Sequence, residues 1–168
     1  MRWHLPGEPP RRDLERHELR DLVGQVGAVP EIWRGLVCDE ASGRGFEQLW
    51  RGDHVDLWVI TWLNGGDTGF HDHDVSRGAV AVVEGEIVEE RLVLGGTPRR
   101  LRHGAGASFD FDASHVHRML HEREAASVSV HAYSPPLWRM GAYATEADGT
   151  LRRESISYAE ELRPLLAA

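Results

Sequence analysis

Two periodicities divide the chain. Near the amino end Leu14, Leu19, Leu22 and Val23 recur at helical spacing behind Asp13, a side chain able to accept a hydrogen bond from a first-turn amide. A helix capped by Asp13 and ended by Gly24 or Gly27 is therefore predicted. Pro30, with its fixed φ, predicts a second short helix through Ile32, Trp33 and Leu36. Glu40-Ala41-Ser42-Gly43-Arg44-Gly45 reads as a loop. Beyond it β-branched and aromatic residues dominate: Leu57-Trp58-Val59-Ile60-Thr61-Trp62, then Gly78-Ala79-Val80-Ala81-Val82-Val83 closed by Glu84-Gly85-Glu86. A further alternating stretch, Ser114-His115-Val116-His117-Arg118-Met119, follows Phe109-Asp110-Phe111. Asn64-Gly65-Gly66, Gly95-Gly96 and Gly104-Ala105-Gly106 punctuate these runs.

Helices first and strands after predict an α+β chain, mainly β, whose body is a β-barrel. A single domain, 1–168, is expected: about 1–45 helical, about 46–137 the barrel core, and 138–168 a carboxy-terminal extension. Its last part, Ala142 to Ala168, is charged and is expected to pack outside, with Tyr158 to Leu166 as a short helix. No internal repeat or low-complexity segment interrupts the chain.

Composition narrows the class. With 168 residues, 41% of them hydrophobic, the chain can fill one core. The single cysteine, Cys38, excludes an intrachain disulfide framework and fits a reducing compartment, so a cytoplasmic location is expected. No segment has the character of a signal peptide or the roughly 18 consecutive apolar residues of a membrane helix. A net charge of -8 argues against nucleic acid, which needs a basic face. Small-molecule chemistry is left, in a monomer or weak homo-oligomer.

The candidate chemistry begins at Phe70-His71-Asp72-His73. Histidines at i and i+2 of a strand share a face and can converge on one metal ion. His117 is the candidate third ligand, and His115, on the same strand face, is its alternative.

Gly65, His71-x-His73 and Gly85, followed by Gly106 and His117, are similar to the two-motif signature of the cupin superfamily, which implies a jelly-roll barrel. Where the common pattern has a glutamate ligand, this sequence has Gly78, leaving three neutral imidazoles and open positions on a divalent iron. Ser129, His131-Ala132-Tyr133 and Ser134-Pro135-Pro136 narrow the resemblance. Together with Ser76 and His117-Arg118 they resemble the cysteine dioxygenase family of thiol dioxygenases, from about Trp58 to Pro136. The resemblance implies Fe(II) held by His71, His73 and His117, with Arg118 favouring His117 over His115. It implies an outer hydrogen-bonded relay of Ser129, His131 and Tyr133, and a cis Ser134-Pro135 bond. It also implies oxidation of a small thiol by O2 to a sulfinic acid. Gly78 stands where some members carry a cysteine crosslinked to the tyrosine, so no thioether is expected.

The thiol is less defined. Where cysteine-specific members carry an arginine clamp for the substrate carboxylate, the best register has neutral Gln48, as in members acting on 3-mercaptopropionate; a shift of a few residues brings Arg44 or Arg51 there. Trp50, Trp58 and Trp62 precede the metal motif; they read as core, or as a cation-π cage for a thiol betaine such as ergothioneine, with Trp62 the candidate contact. A non-catalytic cupin that senses or stores a metal or ligand would need the histidines but not the relay. A zinc or nickel cupin enzyme would usually keep the carboxylate that Gly78 replaces.

Overall fold

The computed structural model describes residues 3, 5, 8–37, 43–146 and 150–157. The first helix, α1, spans Arg16–Gly27. Its cap is not Asp13 but Glu15, which forms a reciprocal capping box with Glu18, while Asp13 accepts a 2.9 Å hydrogen bond from His54. The helix ends at Gly27 and is followed at once by α2, Pro30–Trp33, and a 3-10 turn over Arg34–Leu36.

Eleven strands follow among the described residues: β1 Arg44–Arg51, β2 Asp56–Trp62, β3 Phe70–Asp72, β4 Arg77–Glu84, β5 Glu86–Arg91, β6 Arg99–Gly104, β7 Ser108–Phe111, β8 His117–Leu120, β9 Ser127–Ser134, β10 Arg139–Thr145 and β11 Leu151–Ser157. They form two antiparallel sheets, β1-β2-β9-β4-β7 and β11-β10-β3-β8-β5-β6, the layering of a jelly-roll sandwich. The first half of the expected loop at Glu40–Gly45 lies largely outside the described residues, and its end, Arg44 and Gly45, is already strand.

Two apolar layers result. Leu19, Leu22, Val23 and Val26 of α1 pack with Trp33 on the outer face of the first sheet, against Val59, Ala79, Val130 and Ala132. Between the sheets Trp58, Ile60, Trp62, Val80, Ile87, Phe111, Met119 and Met140 fill the interior. The first sheet is thus covered on both faces, which is why β2 and β9 are buried at every position and read as continuous runs instead of alternating ones.

The carboxy-terminal segment departs from expectation. Its described strands belong to the second sheet: β10 pairs with β3, placing Ala142 opposite His71, and β11 forms the sheet edge. The expected helix at Tyr158 to Leu166 lies outside the described residues. Among the described residues no helix is long and apolar enough to cross a membrane.

Leu19 has 0% exposure and sits at the helix–sheet contact. Leu19→Ala should therefore lower the unfolding free energy by about 2–5 kcal/mol in a urea titration; a loss under about 1 kcal/mol would mean that α1 does not depend on this packing.

Candidate metal centre

β3 and β8 bring the histidines together. His71 lies directly opposite His117 in the β3–β8 ladder, and His73 follows His71 on the same face. The ring centroids are 4.9 Å apart for His71 and His73, 4.8 Å for His71 and His117, and 5.2 Å for His73 and His117. One nitrogen from each lies within 4.8 Å of the others. Burial, followed by repulsion from the neighbouring imidazoles, pushes the His71 and His73 pKa values well below the usual histidine range. Burial also lowers His117, so all three are neutral, the form that ligates metals.

The donor set fits a divalent transition metal. His71 Nδ1 faces the Gly69 carbonyl at 3.0 Å, and His117 Nδ1 faces the Glu89 carboxylate at 3.0 Å. Both partners only accept, so both imidazoles carry their proton on Nδ1 and present a bare Nε2. His117 Nε2 and both nitrogens of His73 are buried with no hydrogen-bond partner among the described residues. A metal ion satisfies such nitrogens, and an all-imidazole set suits iron, zinc, copper or nickel.

Glu89, which sequence reading did not single out, lies on β5 opposite Met119, one diagonal step from His117. Its exposure is 0%. It also accepts hydrogen bonds from His115 (2.9 Å), His103 (3.1 Å) and Arg91 (3.1 Å). Burial alone would raise its pKa, but these imidazoles and the guanidinium hold it well below the ordinary carboxylate range. His115, the alternative ligand, is therefore turned to Glu89 while His117 joins His71 and His73.

Asp72, between His71 and His73, points the other way. It accepts from Tyr143 Oη (2.6 Å), from Arg153 through Nε (2.7 Å) and a terminal nitrogen (2.9 Å), and from the Gly141 amide (3.0 Å). The metal motif is thereby tied to β10 and β11 by a bidentate charged pair.

β9 carries Ser129, His131 and Tyr133 on one face. Trp62 Nε1–H donates to Ser129 Oγ at 2.8 Å, and Ser129 Oγ lies 2.7 Å from His131 Nε2. Burial lowers the His131 pKa to about 3, so the ring is neutral. Ser129 Oγ thus accepts from the indole and is bonded to His131 Nε2, and His131 Nδ1 is bonded in turn to the Tyr133 hydroxyl at 3.2 Å. The Tyr133 ring centre is 5.1 Å from that of His73. The Ser134-Pro135 bond after it is cis. Gly78 faces Tyr133 across the β4–β9 ladder, and a Cβ there would lie 2.3 Å from Phe111, whose ring stacks on His73 at 4.6 Å.

A cavity reaches His71, His131 and Tyr133 and is lined by Trp58, Trp62, Met119, Met140 and Arg44. Arg44 is the charged group of that lining, its guanidinium 5.9 Å from the Trp62 ring centre. Of the sequence-based substrate contacts, Trp62 lines the cavity; Gln48 and Arg51 do not. Gln48 shares the inner face, paired with Trp58, but its amide nitrogen is buried without a partner among the described residues. A bulge between Gln48 and Trp50 then shifts the register, and Arg51 ends 3.5 Å from buried Asp56.

The chain matches the family cysteine dioxygenase type I over residues 18–146. Among solved structures it is similar to a Thermus thermophilus protein (13% identity, TM-score 0.53, covering 61% of this chain and 94% of that one). It is also similar to a Desulfitobacterium hafniense cupin superfamily protein (10% identity, TM-score 0.51, 61% and 87% covered). A third is a Klebsiella pneumoniae protein with a double-stranded β-helix domain (13% identity, TM-score 0.52, 71% and 91% covered). At these identities the structures speak for the fold.

The buried imidazoles generate a pH dependence. Histidine in the unfolded chain takes up a proton near 6.5, whereas folded His131 resists it down to about 3 and His71, His73 and His117 are shifted the same way. Below pH about 6.5 the unfolded state binds more protons, so the stability of metal-free protein should fall as pH drops from there toward 3. Asp56, raised by burial to about 7, acts oppositely, one carboxyl against four imidazoles. Urea titrations at a series of pH values should show this fall; constant stability from pH 7 to 5 would contradict neutral buried imidazoles.

Proposed function

This chain belongs to the cysteine dioxygenase type I family, and on that premise we propose that it is a non-haem Fe(II) thiol dioxygenase acting on a small carboxylate-bearing thiol. The overall conversion adds both atoms of O2 to a thiolate sulfur, RS⁻ + O2 giving RSO2⁻. The observation that carries the reading is one interior holding both a convergent trio of buried imidazoles and a separate hydrogen-bonded relay ending in a phenol beside it. A metal store or sensor would use the first and has no use for the second. His71, His73 and His117 would hold the iron, which supplies the redox chemistry that lets O2 react with sulfur.

The residues of the chain do the rest. Trp62, Ser129 and His131 hold the Tyr133 hydroxyl in a fixed chain of hydrogen bonds. A polar atom of substrate or O2 held beside His73 is the group this arrangement serves. Arg44 supplies positive charge to a cavity whose apolar wall includes Trp58, Ile60, Met119, Leu137 and Met140. A guanidinium fork binds a carboxylate. Among the described residues no acidic side chain lines the cavity, so an α-ammonium group would meet no counter-charge from them. A thiol acid such as 3-mercaptopropionate therefore fits better than cysteine. Ergothioneine fits less well, because its trimethylammonium would meet Trp62 beside the Arg44 guanidinium already over that ring.

Purified protein loaded anaerobically with iron should hold about one iron per chain and consume O2 with 3-mercaptopropionate, releasing sulfinate. Absence of thiol-dependent O2 uptake across 3-mercaptopropionate, cysteine and ergothioneine would favour the non-catalytic reading. Arg44→Ala should raise KM for 3-mercaptopropionate roughly tenfold or more, as expected for losing a charged hydrogen bond of about 1.5–3 kcal/mol. Tyr133→Phe should keep its iron while turnover falls and O2 consumption exceeds sulfinate formed; full coupling in that variant would remove Tyr133 from the chemistry.

A further inference from the structure

The three imidazoles are not equivalent. His71 leans on a neutral peptide carbonyl, Gly69 O at 3.0 Å. His73 has neither nitrogen bonded among the described residues. His117 alone of the three donates to an anion, Glu89. We propose that Glu89 is the positioning residue of the centre: it holds His117 in the Nδ1–H tautomer and passes negative charge through that imidazole to the metal. The inference rests on His71, His73 and His117 being a metal site.

The surroundings of Glu89 support this beyond one contact. Oε1 accepts from both His117 (3.0 Å) and His115 (2.9 Å), and Oε2 from His103 (3.1 Å) and Arg91 (3.1 Å). Four donors match the roughly four acceptor sites of a carboxylate, so the group is fixed in orientation as well as ionised. The donors are themselves braced. His103 stacks on Phe109 at 4.2 Å, and His115 stacks on Phe111 at 5.5 Å, on a ring whose other contacts include His73. A hydrogen bond from a ligating imidazole to a carboxylate raises the basicity of the nitrogen facing the metal, and loss of such a partner typically weakens metal binding by 10–100-fold. In an interior whose ligands are all neutral, Glu89 is the anion through which the double positive charge of a bound ion is balanced.

The test measures the metal directly. Glu89→Gln keeps the shape and removes the charge; in chelator competition its apparent Kd for Co(II) should rise about 10–100-fold over the unaltered protein, and the potential of the iron-loaded form should move positive. Glu89→Asp, which keeps the charge, should recover part of both shifts. A merely structural carboxylate would lower the unfolding midpoint of the metal-free variants without moving the potential. Should Glu89→Gln fail to fold, imidazole 1H–15N spectra of the Zn(II)-loaded unaltered protein decide. They should show a downfield, slowly exchanging proton on His117 Nδ1, and a proton on His117 Nε2 would overturn the proposal. Unchanged Kd and potential in folded Glu89→Gln would overturn it too. Failure of the unaltered protein to bind Co(II) or Fe(II) would instead remove the metal centre itself.

Discussion

Packing three neutral imidazoles into the apolar space between two sheets is the constraint around which the rest of this protein is arranged. Each ring carries two polar nitrogens, and leaving them unsatisfied in a dry interior costs free energy for every unmade bond. The chain meets that cost from two directions. Gly69 and Glu89 occupy the outward nitrogens of His71 and His117 and so aim the inward ones at a common point. Phe111 lies against His73 and His115 and keeps the region closed to water.

Strand alternation then separates two kinds of work. His71 on β3 and His73 just past its end face inward while Asp72 faces Tyr143 and Arg153. On β9, Ser129, His131 and Tyr133 face the cavity while Val128, Val130 and Ala132 meet α1 and its neighbours. The helical layer therefore buttresses the sheet that carries the relay, and the charged carboxy-terminal hairpin buttresses the sheet that carries the metal motif.

Much of this was legible because period two is written in the sequence. His71 and His73, and likewise Ser129, His131 and Tyr133, stand two apart, so a strand must bring each set to one face. What escaped depended on partners far along the chain. Glu89 in Ile87-Val88-Glu89-Glu90 looks like a surface carboxylate until β6, β8 and the segment before β8 deliver His103, His117 and His115 to it. Arg44 stood only as an alternative to Gln48, because its glycine-flanked stretch resembles a loop, and the bulge between Gln48 and Trp50 rotated Arg51 out of the register that an unbroken strand would keep. Asp13 lost the helix cap to Glu15 because Glu18, three residues on, completes a reciprocal pair. The strands β10 and β11 were unreadable as such because an edge hairpin needs few apolar residues, and its charges looked like solvent exposure.

The Asp72–Arg153 pair has a consequence for the order of events on the ribosome. The two residues are 81 positions apart, so the metal motif emerges long before the arginine and tyrosine that clamp it. Contacts of such sequence separation form late and slowly. A nascent chain halted before β10 would carry His71 on a three-residue strand, and His73 just past its end, with one neighbour missing from its sheet. Metal captured at that stage would be held by a loose, solvent-reachable version of the centre. The mature geometry is thus assembled from strands as far apart as β3 and β11, and the last described strand acts as the latch that closes it.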